Sequence, residues 1–180
     1  MLDDPYLRAA VSLEDHQLEQ LITSYWNDVW NFVYVMIRQR DSADDLTQET
    51  FVRAFRSLSS FKGQSSYRTW LLRIARNLTI NYKRSAFFRR VILAGDLLSN
   101  RSSASAEAEY WRWQELDEIW QQVFRLPAKH REVLLLDAKY GLSMQEMAEL
   151  LQVPEGTVKS RLNRARKRMA DWLKGEQEHE

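Results

Sequence analysis

Apolar positions recur at three- and four-residue spacing through most of this chain, which predicts helices throughout. From about His16 to Gln39, Leu18, Leu21, Ile22, Tyr25, Trp26, Val29, Phe32, Val33, Met36 and Ile37 make a broad apolar face, as on a helix lining a core. Residues 1–15 precede that face and read as a loose arm. A second helix is expected from a cap in Ser42-Ala-Asp-Asp45 to about Leu58, with Phe51, Ala54, Phe55 and Leu58 turned inward. Phe61-Lys-Gly-Gln-Ser-Ser66 interrupts the pattern as a loop. A third helix, Tyr67 to about Arg84, buries Trp70, Leu71, Ile74 and Leu78. Ser85 to about Tyr110 breaks the pattern again, and Ser99–Ala106 within it has the small, polar character of a connector. Its Val91-Ile-Leu93 and Leu97-Leu98 are apolar enough to pack on something.

A second helical unit begins near Glu107 and includes Trp111, Trp113, Leu116, Ile119, Trp120, Val123 and Phe124, until Leu126-Pro127 stops it. A helix from about Lys129 to Tyr140 follows, ended by Gly141. Ser143 and Glu146 then have the spacing of a capping box, which opens a helix to about Leu151. Gln152-Val-Pro154 breaks it, because proline disfavours a helical residue before it yet suits a helix start. The last helix buries Val158, Leu162, Ala165 and Met169 and turns Lys159, Ser160, Asn163, Arg164 and Lys167 to another face. Two short helices, a tight turn and a basic second helix are the layout of a helix-turn-helix, whose recognition helix enters the major groove. A helix carrying Lys159, Arg161, Arg164, Arg166, Lys167 and Arg168 is also compatible with a merely solvated face. The scarcity of acids to pair with these cations, and the capped helix just upstream, favour DNA.

Composition sharpens this picture at three points. Glycine and proline are scarce and seven tryptophans are present, which supports an all-α protein with aromatic-rich cores. The formal net charge is only +1, but the charge is segregated. Phe61 to Arg90 contains no acid, and Gly156 to Lys174 holds one acid, Asp171, against seven Lys and Arg. Two basic segments on a near-neutral chain suggest two contacts with a polyanion. With no cysteine there is no disulfide framework or cysteine metal site, and His16, His130 and His179 lack ligand spacing. No apolar run approaches a membrane span and no signal-peptide core opens the chain, so a cytoplasmic protein without membrane insertion is expected. Near the first basic segment, bases could stack on aromatic walls while phosphates meet arginines. Tyr67 and Trp70 are read as core rather than as such platforms. Asp44, Asp45, Gln48 and Glu49 suit either a helix N-terminus or a docking face for a basic partner.

Three stretches in this order resemble the extracytoplasmic-function (ECF) group of the bacterial sigma-70 superfamily. They are Ala43-DDLTQETFVRAFRSL, Phe61-KGQSSYRTWLLRIARNLTINYKR and Leu126-P…REVLLL…YGLSMQEMAELLQVPEGTVKSRLNRARKRM. The resemblance implies an all-α chain of two small helical domains, region 2 at 16–86 and region 4 at 111–174, joined by a flexible linker at 87–110, with a tail at 175–180. It implies no catalysis and no cofactor, but promoter-specific initiation by RNA polymerase. By similarity, Asp45, Gln48 and Glu49 would dock on the clamp helices of the polymerase β′ subunit. Phe61, Lys62, Gly63, Gln64, Ser65 and Ser66, with Asn77, would receive a base flipped from the −10 element, and Arg73, Arg76, Asn81 and Arg84 would contact nearby bases or backbone. Lys159, Ser160, Asn163 and Arg164 would read the −35 element, with Thr157, Arg161, Lys167 and Arg168 near phosphates. Region 4 would also dock on the β flap, the linker would thread the RNA exit path, and an anti-sigma factor would clamp both domains.

Two departures from the family pattern stand out. Gln152 occupies a turn position where relatives commonly have glycine, which suggests an altered turn. Asn81 stands where many carry aspartate, which leaves the −10 preference open. Two other function classes also have predictions. A stand-alone helix-turn-helix regulator would bind duplex DNA without polymerase. A nucleic-acid-processing enzyme would need a metal cluster, phosphate loop or activated nucleophile, and neither basic segment has one beside it.

Overall fold

In a computed structural model of the chain, the backbone is described for residues 5–96 and 118–177, and side chains for residues 18–87 and 119–174. Every regular element in those residues is helical. Helix α1 spans Pro5–Ile37, α2 Arg40–Ser57 with a 3-10 turn at Leu58–Ser60, and α3 Tyr67–Asp96. Then come α4 at Glu118–Arg125, α5 at Ala128–Ala138, α6 at Met144–Leu151 and α7 at Glu155–Gln177. Contacts divide the chain into two units, Met1–Tyr82 and Lys83–Glu180.

In the first unit α1 and α2 form an antiparallel hairpin. Arg38 reverses the chain at φ 64, a left-handed conformation that costs a non-glycine residue about 1–2 kcal/mol. The register of the hairpin is set by aromatic anchors. Trp26 stacks on Phe51 with centroids 5.6 Å apart, and the Trp30 indole N–H donates to Asp44 Oδ1 at 2.6 Å. Helix α3 runs alongside α1 in the same direction. Arg68 pairs with Asp28 at one end, and the Tyr82 hydroxyl donates to Gln39 at the other. Val29, Phe32, Val33, Phe51, Ala54, Leu71, Leu72, Ala75 and Leu78 are the buried centre.

Several sequence expectations change here. The arm read at residues 1–15 is helical from Pro5 onward as part of α1. Ser42 does not cap α2, which starts at Arg40 after Gln39; its hydroxyl instead lies 2.8 Å from that of Tyr82, tying α2 to α3. Phe55, expected inside, is 39% exposed. Helix α3 does not stop near Arg84 but continues to Asp96, because no glycine or proline intervenes before Gly95. The first part of the expected linker, 87–96, is therefore helical; Ser99–Ala106 and Trp111, Trp113 and Leu116 lie outside the described residues.

The second unit is built on α5, α6 and α7, with α4 laid against α7. Val133, Leu136, Met147, Leu150, Val158, Leu162 and Ala165 are fully buried between them. Buried Arg131 donates to the Phe124 carbonyl at 2.9 Å and so fastens the end of α4 to α5. Gly141, at φ 64, closes α5: its N–H donates to the Asp137 carbonyl. The Ser143–Glu146 capping box forms as expected, with bonds of 2.8 and 3.2 Å. Gln152 takes the left-handed conformation itself, φ 56 and ψ 46. The altered turn expected from the missing glycine does not occur, and glutamine carries the strain instead.

Candidate nucleic-acid interface

The last helix presents the clearest surface. Because α7 buries Val158, Leu162 and Ala165, helical geometry turns Lys159, Ser160, Asn163, Arg164, Lys167 and Arg168 outward, and all six are exposed. Thr157, Arg161 and Met169 are half-buried at its flanks. Arg166 separates from the rest of the basic set: it pairs with Asp137 of α5 at 2.7 Å and braces the helix. The Ser160 hydroxyl bonds back to the Thr157 carbonyl at 3.0 Å. Beneath this face lies His130, 4% exposed, with neither ring nitrogen hydrogen-bonded. Burial holds its pKa below the ordinary histidine value, and the cations Arg168, Lys129, Arg164 and Arg161 add to that.

A second surface runs along α3. The loop before it turns at Gly63, φ 67, and ends where the Ser66 hydroxyl caps α3 by accepting the Thr69 N–H at 3.1 Å. That hydroxyl is thereby committed to structure, while Lys62, Gly63, Gln64 and Ser66 remain exposed and Ser65 half-buried. Phe61 folds back onto Trp70, with ring centroids 4.8 Å apart. Trp70 and Asn77 are seven residues apart and share a helix face, so the start of the loop sits on the face that carries Asn77, about 10 Å along the axis. Asn81 and Arg84 continue this face and are exposed, and Arg73 and Arg76 flank it half-buried. Tyr67, expected in the core, is 40% exposed at the head of the helix.

The third surface is on α2. Asp44 is occupied by Trp30, but Asp45 and Gln48 are exposed and Glu49, paired with Arg53 at 2.7 Å, is half-buried. Val52 and Phe55 extend the stripe at helical spacing, 42% and 39% exposed. Phe55 is invisible as a surface position in the sequence, because a phenylalanine on a helix reads as core.

Sigma-70 region 2 matches residues 21–87, and sigma-70 region 4 matches residues 116–169. The ECF RNA polymerase sigma factor SigC of Mycobacterium tuberculosis is 37% identical over 149 residues, 83% of this chain and 79% of SigC. SigW of Bacillus subtilis, also an ECF RNA polymerase sigma factor, is 31% identical over 163 residues, 86% of this chain and 87% of its own. The chain belongs to the ECF sigma factors. It is accordingly an initiation factor and not an enzyme.

Solved structures agree with this sigma factor in fold. The sigma factor RpoE in complex with the anti-sigma factor NepR, from Bartonella quintana, aligns with a TM-score of 0.71 at 24% identity, over 88% of this chain and 97% of RpoE. CnrH in complex with the cytosolic domain of CnrY aligns at 0.63 and 23% identity, over 89% and 90%. Among the described residues of the sigma factor, no helix is long and apolar enough to cross a membrane. No group of three or more His, Cys, Asp or Glu among them is placed to hold a metal ion.

Proposed function

We propose that this sigma factor joins core RNA polymerase in the cytoplasm and brings it to promoters by two DNA contacts. The observation that carries the reading is the division of α7: Val158, Leu162 and Ala165 are buried, while Lys159, Ser160, Asn163 and Arg164 stand exposed together. Such a row suits base edges of a −35 element, where a good bidentate contact contributes about 1–3 kcal/mol of discrimination. Thr157, Arg161, Lys167 and Arg168 suit the adjacent phosphates, which set register and salt dependence without reading sequence. The 61–66 loop with Asn77 takes the flipped −10 base, and Arg73, Arg76, Asn81 and Arg84 hold the strand around it. Unstacking a base costs a few kcal/mol, so a pocket that binds only the extruded form both selects sequence and nucleates melting.

The stripe Asp45, Gln48, Glu49, Val52 and Phe55 docks on the β′ clamp helices, and region 4 docks on the β flap. An apolar centre with charges at one end fits a stable protein contact better than a solvated helix face would. RpoE is bound to an anti-sigma factor in its solved structure, and an anti-sigma factor that masks both basic faces is the expected regulator here. The test is promoter-selective run-off transcription with purified core polymerase, beside a Lys159→Ala/Arg164→Ala variant. Start sites that depend on the protein, and a −35 preference blunted in the variant, are expected. Sequence-specific duplex binding without core, and no stimulated initiation, would instead make the chain a free-standing regulator.

A further inference from the structure

Arg166 is the one cation of α7 that, among the described residues, holds an ion-pair partner. Its guanidinium meets the Asp137 carboxylate of α5 at 2.7 Å. The two residues are 29 positions apart, so nothing local pairs them. Asp137 lies in the last turn of α5, and its carbonyl accepts the Gly141 N–H. A carboxylate there opposes the negative end of the helix dipole, so the helix itself gains nothing from it. The acid is the fixed partner, with its side chain 22% exposed, and the arginine is the open one, at 57%. On α7, Asn163 and Lys159 stand three and seven residues before Arg166, on the same side of the helix and exposed. An unpaired Arg166 would therefore border the row that reads bases, and a guanidinium there fits a phosphate as readily as a carboxylate.

Every DNA sequence offers phosphates, so each phosphate contact adds affinity without choosing a site. Specificity is a difference between affinities, and withholding such a contact widens it. A complex on the wrong sequence has no base contacts to keep, and it can shift until a free guanidinium meets a phosphate. A complex on the right −35 element is held in one register by Lys159, Ser160, Asn163 and Arg164, and gains less from the same group. We propose that Asp137 is a specificity-determining residue of the −35 contact, because it holds Arg166 back from the DNA backbone. It touches no base, and acts on the choice of sequence only through Arg166. The opposite flank of α7 keeps Arg161 and Arg168 for phosphates, so the helix meets DNA with one cationic edge and one neutralised edge. This rests on the −35 reading above and adds to it a residue outside the recognition helix.

Competition binding with the holoenzyme tests it, on a promoter selected by run-off transcription and on the same fragment with its −35 element scrambled. Wild type, Asp137→Ala, Arg166→Gln and the double variant are compared over a range of salt. All should fold, since a partly exposed pair contributes little to stability. Asp137→Ala should bind the scrambled fragment about fivefold more tightly at low salt, and the intact one less than about twofold more tightly. Its slope of log K against log salt on the scrambled fragment should steepen by about one unit. Arg166→Gln should resemble wild type, and in the double variant both gains should vanish. Gains that persist in the double variant assign the effect to the charge of Asp137 itself and overturn the inference. So does weaker binding of both fragments by Asp137→Ala, which makes the pair a structural brace, or by Arg166→Gln, which places Arg166 on DNA already. Unchanged binding of the scrambled fragment by Asp137→Ala overturns it as well and leaves the −35 reading intact. A wild type that does not distinguish the two fragments overturns the −35 reading and the inference with it.

Discussion

Single residues of this sigma factor carry costs that a local pattern does not show. Gln152 sits in the left-handed region at φ 56 where glycine would be unstrained. Gln152→Gly is expected to raise stability by roughly 1 kcal/mol in urea unfolding, less the chain entropy that glycine adds. His130 shows the opposite relation between burial and charge. Its folded pKa is depressed below about 6.5, so the folded unit prefers the neutral ring and binds the proton less well than the unfolded chain does. The stability it contributes is full above the unfolded value and is lost as pH falls toward the depressed folded value. Hydrogen exchange of α5–α7 amides between pH 7 and 5.5 should accordingly accelerate beyond its intrinsic pH dependence, and His130→Leu should flatten that excess. The cations that surround the ring are Lys129 on α5 and Arg161, Arg164 and Arg168 on α7.

Helices act here as faces, and the exposed face of α2 can be changed without emptying the buried centre. On α2, Val52 and Phe55 are exposed beside Asp45 and Gln48. Phe55→Ser should leave the unfolding midpoint nearly unchanged and weaken core polymerase binding about tenfold, read by competition against a labelled wild-type chain. A loss of stability comparable to a core truncation, with binding intact, would return Phe55 to the interior role that its sequence suggested. The start of α6 depends on local chemistry instead. Ser143→Ala removes the acceptor for the Glu146 N–H and should cost about 1 kcal/mol of stability. Since α6 supports the turn into α7, −35 binding should fall in step, and a variant that loses stability but keeps full duplex affinity would uncouple the two.

Over the whole molecule, charge is sorted rather than abundant. A net charge of +1 conceals an acid-free stretch and a basic last helix, and two modest contacts on one chain multiply through effective concentration. Each phosphate contact releases condensed counterions, so the salt slope counts them. Arg168→Ala should lower the slope of log K against log salt by about one unit and weaken binding to all promoter sequences alike. A change in sequence preference with the slope unaltered would move Arg168 from the phosphates to the bases.

Much of this was legible without coordinates, and the reason is locality. The buried stripe of α7, the Ser143–Glu146 box and the stop at Gly141 are decided by residues three to six apart, and such distances are written into periodicity. The three stretches shared with the ECF group carried the family by their order and spacing. Tertiary structure alone decided what long-range partners decide. Asp44 is a latch for Trp30 while Asp45 is free to dock, a difference set by α1 and absent from the composition of α2. Ser42 turned from cap to tether because Tyr82, forty residues later, lies beside it. Phe55 and Tyr67 read as core because apolar side chains usually find one. Whether a neighbour covers them depends on where the helices cross, and among the described residues Phe55 and Tyr67 are left 39% and 40% exposed.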